Sequence, residues 1–223
     1  MSSLEGGVNP HRLILLGPPG AGKGTQAVGL ANHLGIPHIA SGDLFRHHQQ
    51  KGTPLGLKVI EYMNQGILVP DEITIAMVLE QVLLPASQRG FILDGFPRNL
   101  AQAAALDNAL GAKGLEIGRV GFIKVPVKEL LSRLEGRRVC RKCRALYHLE
   151  TAPPKRPDKC DLCGGEVSQR EDDARDAVVV RLQVYQEATE PLVDCYNRAG
   201  KLVEVDGLGT VKEVGFRLRK ALE

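Results

Sequence analysis

Short apolar runs alternate along this chain with longer stretches whose apolar residues recur every three or four positions. Arg12–Leu16 (RLILL) is the first run; it ends in a Gly/Pro-rich turn and reads as a buried parallel strand. Helical spacing follows over 22–34 and stops at Gly35 and Pro37. A second strand is predicted around Pro37–Ala40, then a helix over Ser41–Gln50 with Ser41 placed to cap it and Asp43 favourable near its positive end. Thr53 and Pro54 signal the start of another helix, ending near Gly66, and Pro70-Asp71 opens a third that runs through Leu84. Phe91–Leu93 is again a strand, followed by a helix from about Asn99 to Leu110, a strand at Val120–Val125 and helical pattern over Val127–Glu135. Beyond 170 the pattern predicts one long helix over Asp172–Ala199, a fifth strand at Lys201–Val205 and a last helix over Val211–Leu222.

Strands alternating with helices predict an α/β fold whose five-stranded parallel sheet is flanked by helices on both faces. Two segments do not fit the alternation. One is the helical stretch from 41 to 70; the other is 137–169, which carries four cysteines, three prolines and many basic residues and reads as an inserted small domain. With 223 residues the chain suits one compact domain carrying insertions and needs no disulfide scaffold. The 25 glycines exceed the usual share of about 7% and point to specialised loops. A net charge of +3, no Trp and 4% aromatics argue against a nucleic-acid binder, which needs a basic face or stacking platforms. No apolar run approaches the roughly 18 residues that span a bilayer, and the first ten residues show no secretory signal, so a cytoplasmic protein is expected.

The turn after the first strand reads Gly17-Pro18-Pro19-Gly20-Ala21-Gly22-Lys23-Gly24-Thr25. Between a strand and a helix, this is a phosphate-binding loop: its glycines let backbone N–H groups face an anion, and Lys23 adds a full charge. It departs from the general motif in one respect, since Gly24 stands where Ser or Thr is usual and the hydroxyl follows at Thr25. A nucleotide polyphosphate is the expected ligand. Asp94-Gly95-Phe96-Pro97-Arg98 follows another strand, on the edge where open α/β sheets bind ligands. Asp94 is placed to hold magnesium through water, and Arg98 to grip a phosphate bidentately. With Arg46 in Ser41-Gly42-Asp43-Leu44-Phe45-Arg46, this gives an arginine pair beyond what one triphosphate requires, as two phosphorylated ligands meeting head to head would need.

Cys140-x2-Cys143 and Cys160-x2-Cys163 are separated by sixteen residues. Four thiolates at this spacing suit a closed tetrahedral Zn²⁺ site with no position for substrate; a disulfide pair or an empty thiol cluster is the alternative. Gly164-Gly165 permits a tight turn around the metal, whereas Arg144 after the second cysteine has no evident task. His148 is not needed as a ligand, since four cysteines complete the tetrahedron. Cys195 reads as a buried structural thiol, His47 and His48 as solvent-exposed, and Met63 and Met77 as packing.

GPPGAGKGTQ, SGDLFR, LVPDEIT, FILDGFPRN with Gln102, GRRV, QREDD and RLQVYQ occur in an order that resembles the adenylate kinases, of the long-lid, zinc-binding type. The likeness runs from about Arg12 to Leu222. It implies a P-loop kinase core over 1–40, 71–132 and 172–223, an AMP-binding insertion over 41–70 and a zinc-binding lid over 133–171. The implied reaction is transfer from Mg²⁺-ATP to AMP, giving two ADP. By the same resemblance Gly20, Ala21, Gly22, Lys23, Gly24 and Thr25 bind ATP together with Arg133 and Arg137. Ser41, Arg46, Val69, Gly95, Arg98 and Gln102 bind AMP, with Arg170 and Arg181 closing over the transferring group and Gln102 reading the adenine edge. Asp94 orients magnesium, and Asp172 and Asp173 support lid arginines. The family habit is a monomer without nucleic-acid or membrane partners. A UMP or CMP acceptor, a GTP donor, or a non-catalytic nucleotide or nucleic-acid binding module are the alternatives.

Overall fold

Five of the apolar runs pair into one parallel sheet in the order β2-β3-β1-β4-β8: His38–Ala40, Phe91–Asp94, Arg12–Leu16, Arg119–Lys124 and Leu202–Asp206. The structure is a computed structural model that describes residues 11–222; the first ten residues, where no secretory signal is read, and Glu223 lie outside the described residues. Strand side chains alternate between faces. Ile14, Leu16, Leu93 and Val120 face one layer with Val78, Leu106 and Leu192, while Leu13, Leu15, Ile92 and Ile123 face the other with Ala27, Leu30, Leu130 and Leu218. The first layer is built on α4 (Asp71–Val82), α5 (Leu100–Gly111) and α8 (Pro191–Arg198). The second is built on α1 (Lys23–Leu34), α6 (Val127–Gly136) and α9 (Val211–Leu222).

Because β1 and β3 are neighbours, and the chain leaves β1 towards β2 at one edge but leaves β3 towards β4 on the other side, the connections diverge between these two strands. A crevice opens at the carboxyl ends of β1 and β3, where ligands of open α/β sheets bind. Leu15 of β1 stands in register with Asp94 of β3, so the loop after Leu16 and the carboxylate of Asp94 share that crevice.

Two units stand outside the sheet. Helices α2 (Ser41–Gln50) and α3 (Pro54–Gln65) pack around Phe45, Val59, Val69 and Met77, with Met63 against them. Thr53 caps α3 as its sequence predicts: the Gly56 N–H donates to Thr53 Oγ1 at 3.0 Å. Ser41 does not cap α2. It is the first residue of that helix, preceded by Ala40 at the cap position, and its hydroxyl donates instead to the Gly95 carbonyl at 2.7 Å. The second unit is a small antiparallel sheet in the order β6-β5-β7 (Leu146–His148, Arg137–Cys140, Val167–Ser168).

The single helix predicted over Asp172–Ala199 is interrupted at two places. A 3₁₀ turn covers Glu171–Asp173, α7 covers Arg175–Val184, a π-helical turn covers Tyr185–Thr189, and α8 follows from Pro191. Proline explains the second break: Pro191 has no N–H, and its ring excludes the carbonyl four residues back. Two burial expectations also need correction. Cys195 is half-buried rather than buried, and His48 is half-buried, its Nδ1 3.3 Å from Thr53 Oγ1. Met77 is buried and serves packing, as expected.

Leu106 is fully enclosed in the first layer. Leu106→Ala should cost about 3 kcal/mol and lower the melting temperature by roughly 6–12 °C; a shift within a degree or two in a thermal melt would show that this layer is not well packed.

Candidate active site

The loop between β1 and α1 is shaped by sterics. Gly17 has φ +147°, and a Cβ there would stand 2.7 Å from the Ile123 carbonyl oxygen, so no side chain fits. Lys23 opens α1 and curls back over the loop, its Nζ donating to the carbonyls of Gly17 (2.7 Å) and Pro18 (3.0 Å). Desolvation pulls this ammonium down to about 8, opposed by Asp94 and reinforced by Arg98, Arg181 and Arg137. Gly20, Ala21 and Gly22 complete the loop, and Thr25 lies in the first turn of α1. Gly24 has a structural consequence: a Cβ at this position would meet Asp94 Oδ2 at 3.2 Å. The missing side chain leaves room for the carboxylate.

Asp94 is held by its surroundings in the ionised form. Burial pushes its carboxyl up, but His38, with Nε2 3.5 Å from Oδ2, and the charges of Lys23 and Arg98 outweigh this and hold it below the ordinary range. A hard, charged oxygen beside the phosphate loop suits water-mediated magnesium.

Arg98 lies four residues on. Its Nε donates to the Gly95 carbonyl (2.8 Å), and its backbone N–H donates to Gln102 Oε1 (2.8 Å). Gly95 is required here: its φ is +72°, and a Cβ would stand 2.9 Å from Ser41 Oγ and 3.1 Å from Arg98 Nη2. Gln102 is itself buried, and its Nε2 donates to Asp71 Oδ1 (2.7 Å), which also accepts from Asn99 Nδ2 (3.0 Å). A carboxylate on one side and an N–H on the other leave one orientation for the amide.

Around this point the structure gathers cations. Arg98, Arg181 and Lys23 line one cleft with Gly17, Gly95 and Tyr185. Burial lowers the Arg98 guanidinium to about 10, and the nearby charges of Arg181 and Arg46 push the same way. Arg170 falls to about 9 through burial and the neighbouring Arg137 and Arg46, and its buried Nε has no partner among the described residues. Two carboxylates order the group. Asp173, fully enclosed, binds Arg137 through Nε (2.6 Å) and Nη2 and Arg181 through Nη1 (3.0 Å), while Asp172 pairs with Arg181 at 3.1 Å. Arg46 is held within its own helix by Asp43 at 2.7 Å. Arginines placed this close repel one another, and an anionic ligand relieves that repulsion.

Two predicted residues stand apart from the cluster. Arg133 on α6 donates to Glu129 (2.9 Å) and to the Gly207 carbonyl (3.0 Å), beside the loop after β8. The Val69 side chain is buried among Phe45, Val59 and Met77.

The sequence model of the adenylate kinase family matches residues 15–201. The chain belongs to the adenylate kinase family. It is 50% identical over 212 residues to an adenylate kinase of Carboxydothermus hydrogenoformans, covering 95% of this chain and 99% of the relative. It is also 50% identical over 211 residues to that of Archaeoglobus fulgidus (95% and 97%), and 48% identical over 213 to that of Streptomyces avermitilis (95% and 97%).

The small sheet of this family member holds the four cysteines. The sulfurs of Cys140, Cys143, Cys160 and Cys163 all lie within 4.8 Å of one another. Cys140 and Cys163 are 3.5 Å apart and Cys143 and Cys160 3.4 Å, too far for a covalent bond of about 2.05 Å. Sulfurs about 2.3 Å from a tetrahedral ion stand close to these separations, so the set fits structural Zn²⁺. The thiols also divide electrostatically. A hydrogen bond from Tyr147 chiefly pulls Cys160 down to about 6; Cys143 rises to about 12 despite the Ala145 N–H, because it shares protons with Cys163 and Cys160. A divalent cation removes that conflict.

The two cysteine knuckles share a backbone. The Arg144 N–H donates to the Cys140 carbonyl and the Gly164 N–H to the Cys160 carbonyl, with φ of +65° and +68°. Arg144 therefore holds a left-handed position that suits glycine, at a cost of about 1 kcal/mol. His148 takes no part in the metal set: its Nδ1 accepts from the N–H groups of Glu150 and Thr151. Asp71, Asn99, His38 and Thr189, which touch predicted site residues, are not singled out by the sequence.

Two measurements test this site. In the ligand-free protein, side-chain NMR should show one lysine titrating near pH 8, absent in Lys23→Arg and moving upward when ATP is bound. The sign follows from burial disfavouring the charged form: Lys23 is protonated below its lowered value, and bound phosphate restores the charge above it. A free-enzyme Lys23 titrating in the ordinary lysine range would contradict its enclosure. Elemental analysis should give about one zinc per chain after dialysis, and chelation should lower the melting temperature; metal-free protein of unchanged stability would refute the structural site.

Proposed function

We propose that this chain catalyses the reversible transfer of the terminal phosphoryl group of Mg²⁺-ATP to AMP, giving two ADP. The observation that carries the reading is the excess of enclosed cations: Lys23, Arg98, Arg137, Arg170 and Arg181 share one cleft region in which Asp94, Asp172 and Asp173 are the nearby carboxylates. One triphosphate on the loop and one monophosphate facing it would balance that charge.

Magnesium, when bound, would supply positive charge against the outer phosphates of the donor. Asp94 would orient its waters. The N–H groups of the loop from Gly20 to Thr25 and the Lys23 ammonium hold the donor phosphates. Arg98 and Arg46 hold the acceptor phosphate, Arg46 exchanging Asp43 for substrate. Arg137, Arg170 and Arg181 crowd the transferring group; Asp173 fixes two of them so that little reorganisation remains at the moment of transfer. No side-chain base is needed, because the acceptor oxygen is already anionic. The bond from the transferring phosphorus to the ADP oxygen breaks as its bond to the AMP phosphate oxygen forms.

For the acceptor base, Gln102 is the reader. An amide has two N–H donors and two oxygen lone pairs. With one of each used by Asp71 and Arg98, the remaining pair matches adenine. Ser41 and Val69 border the base, and Arg133 stacks on the donor adenine. Residues 41–70 and 133–171 close over a core of 1–40, 71–132 and 172–223 to exclude water. We further infer a cytoplasmic monomer; among the described residues no helix is long and apolar enough to cross a membrane.

The deciding experiment is ADP formation from Mg²⁺-ATP with AMP, UMP, CMP or GMP at equal concentration. AMP should be preferred strongly, and Arg98→Ala should lower turnover by about two orders of magnitude or more. Preference for another monophosphate would overturn the adenine assignment; near-normal turnover in Arg98→Ala would overturn the acceptor site.

A further inference from the structure

The π turn at Tyr185–Thr189 is the clearest departure of the helices from their sequence pattern, and it lies at the cleft. Its hydrogen bond runs five residues, from the Glu190 N–H to the Tyr185 carbonyl at 2.9 Å. An extra residue in one turn rotates everything after it by about 100° around the helix axis. Where the turn ends, the Thr189 hydroxyl donates to the Arg98 carbonyl at 2.7 Å, a contact between residues 91 apart in sequence. Thr189 is buried, and it lines the same cleft as Arg98, Arg181 and Tyr185.

Arg98 is thus clamped on three sides. Gln102 Oε1 takes its backbone N–H (2.8 Å), Thr189 takes its carbonyl (2.7 Å), and the Gly95 carbonyl takes its Nε (2.8 Å). The first and third contacts come from its own segment. Among the described residues, Thr189 makes the one hydrogen bond that ties Arg98 to the helical path that carries Arg181, the arginine whose charge acts most strongly on it. Two mutually repelling guanidiniums keep a fixed separation only when something other than their own interaction holds them.

We propose that Thr189 is a positioning residue for phosphoryl transfer: delivered by the π turn, its hydroxyl locks the Arg98 peptide to the segment bearing Arg181, so that both guanidiniums meet the acceptor phosphate at a set spacing. This rests on the assignment of Arg98 to the acceptor phosphate. Removing the hydroxyl leaves the half-buried Arg98 carbonyl without that donor and lets the two arginines drift apart.

The test is steady-state kinetics of Thr189→Val, with AMP and ATP varied separately. KM for AMP should rise about tenfold while KM for ATP stays within about twofold. Thr189→Ser, which keeps the hydroxyl, should restore the AMP value. In an Arg98→Ala background, Thr189→Val should add nothing, which a purely structural role would not produce. Thr189→Ala, which introduces no new bulk, serves if the valine variant does not fold. An unchanged KM for AMP, equal increases for both substrates, or an undiminished effect in the Arg98→Ala background would overturn the proposal. Failure of the underlying assignment is separable, since Arg98→Ala alone would then leave KM for AMP unaltered.

Discussion

Repulsion among enclosed cations is the constraint around which this molecule is organised. Five basic side chains are drawn into one region partly shielded from water, where burial and neighbouring positive charge lower the proton affinity of Lys23, Arg98 and Arg170. Such a set is stable only if the scaffold supplies counter-charge and rigid attachment, and the architecture can be followed from that requirement. Asp173, enclosed and shared between Arg137 and Arg181, joins the start of the small sheet to α7. Asp94 at the end of β3 faces Lys23 at the start of α1. Asp172 and Asp173 organise arginines directly, while the buried Nε of Arg170 has no hydrogen-bond partner among the described residues.

Neutral contacts complete what the carboxylates begin. Gly24 and Gly95 make room for Asp94 and Arg98, and Ser41 ties α2 to the same turn through the Gly95 carbonyl. Asp71 at the start of α4 fixes Gln102, which fixes the Arg98 peptide. The Arg98 side of the cleft is therefore a continuous hydrogen-bonded path from α4 through α5 to the π turn. Networks of this kind hold side chains more firmly than pairwise contacts do.

The small sheet solves a different difficulty. Its buried set is Val139, Cys140, Cys160 and Val167, too few apolar residues to order about thirty residues. Four convergent thiols take the place of a core, and metal binding there is equivalent to folding energy. Arg137, at the first position of β5, stands between this unit and the cation cluster.

The sequence by itself determined the sheet, the phosphate loop and the metal set, because each is written in local pattern. A RLILL run before glycines, Lys23 at the start of a helix, and two C-x-x-C steps constrain their own neighbourhoods whatever the rest of the chain does. The resemblance of its motifs extended this to the arginines. What local pattern misjudged was decided by contacts distant in sequence. Ser41 has the side chain of a helix cap, yet it bonds Gly95, 54 residues away. Residues 172–199 have uninterrupted helical spacing, yet Pro191 and the packing of Thr189 on Arg98 open a π turn between α7 and α8. Nor does spacing reveal that Asp71 orients Gln102 or that Asp173 serves two arginines, since hydrogen bonds between remote segments leave no periodicity in a chain. Only the tertiary structure decides which polar groups meet, because burial obliges each of them to find a partner wherever the fold provides one.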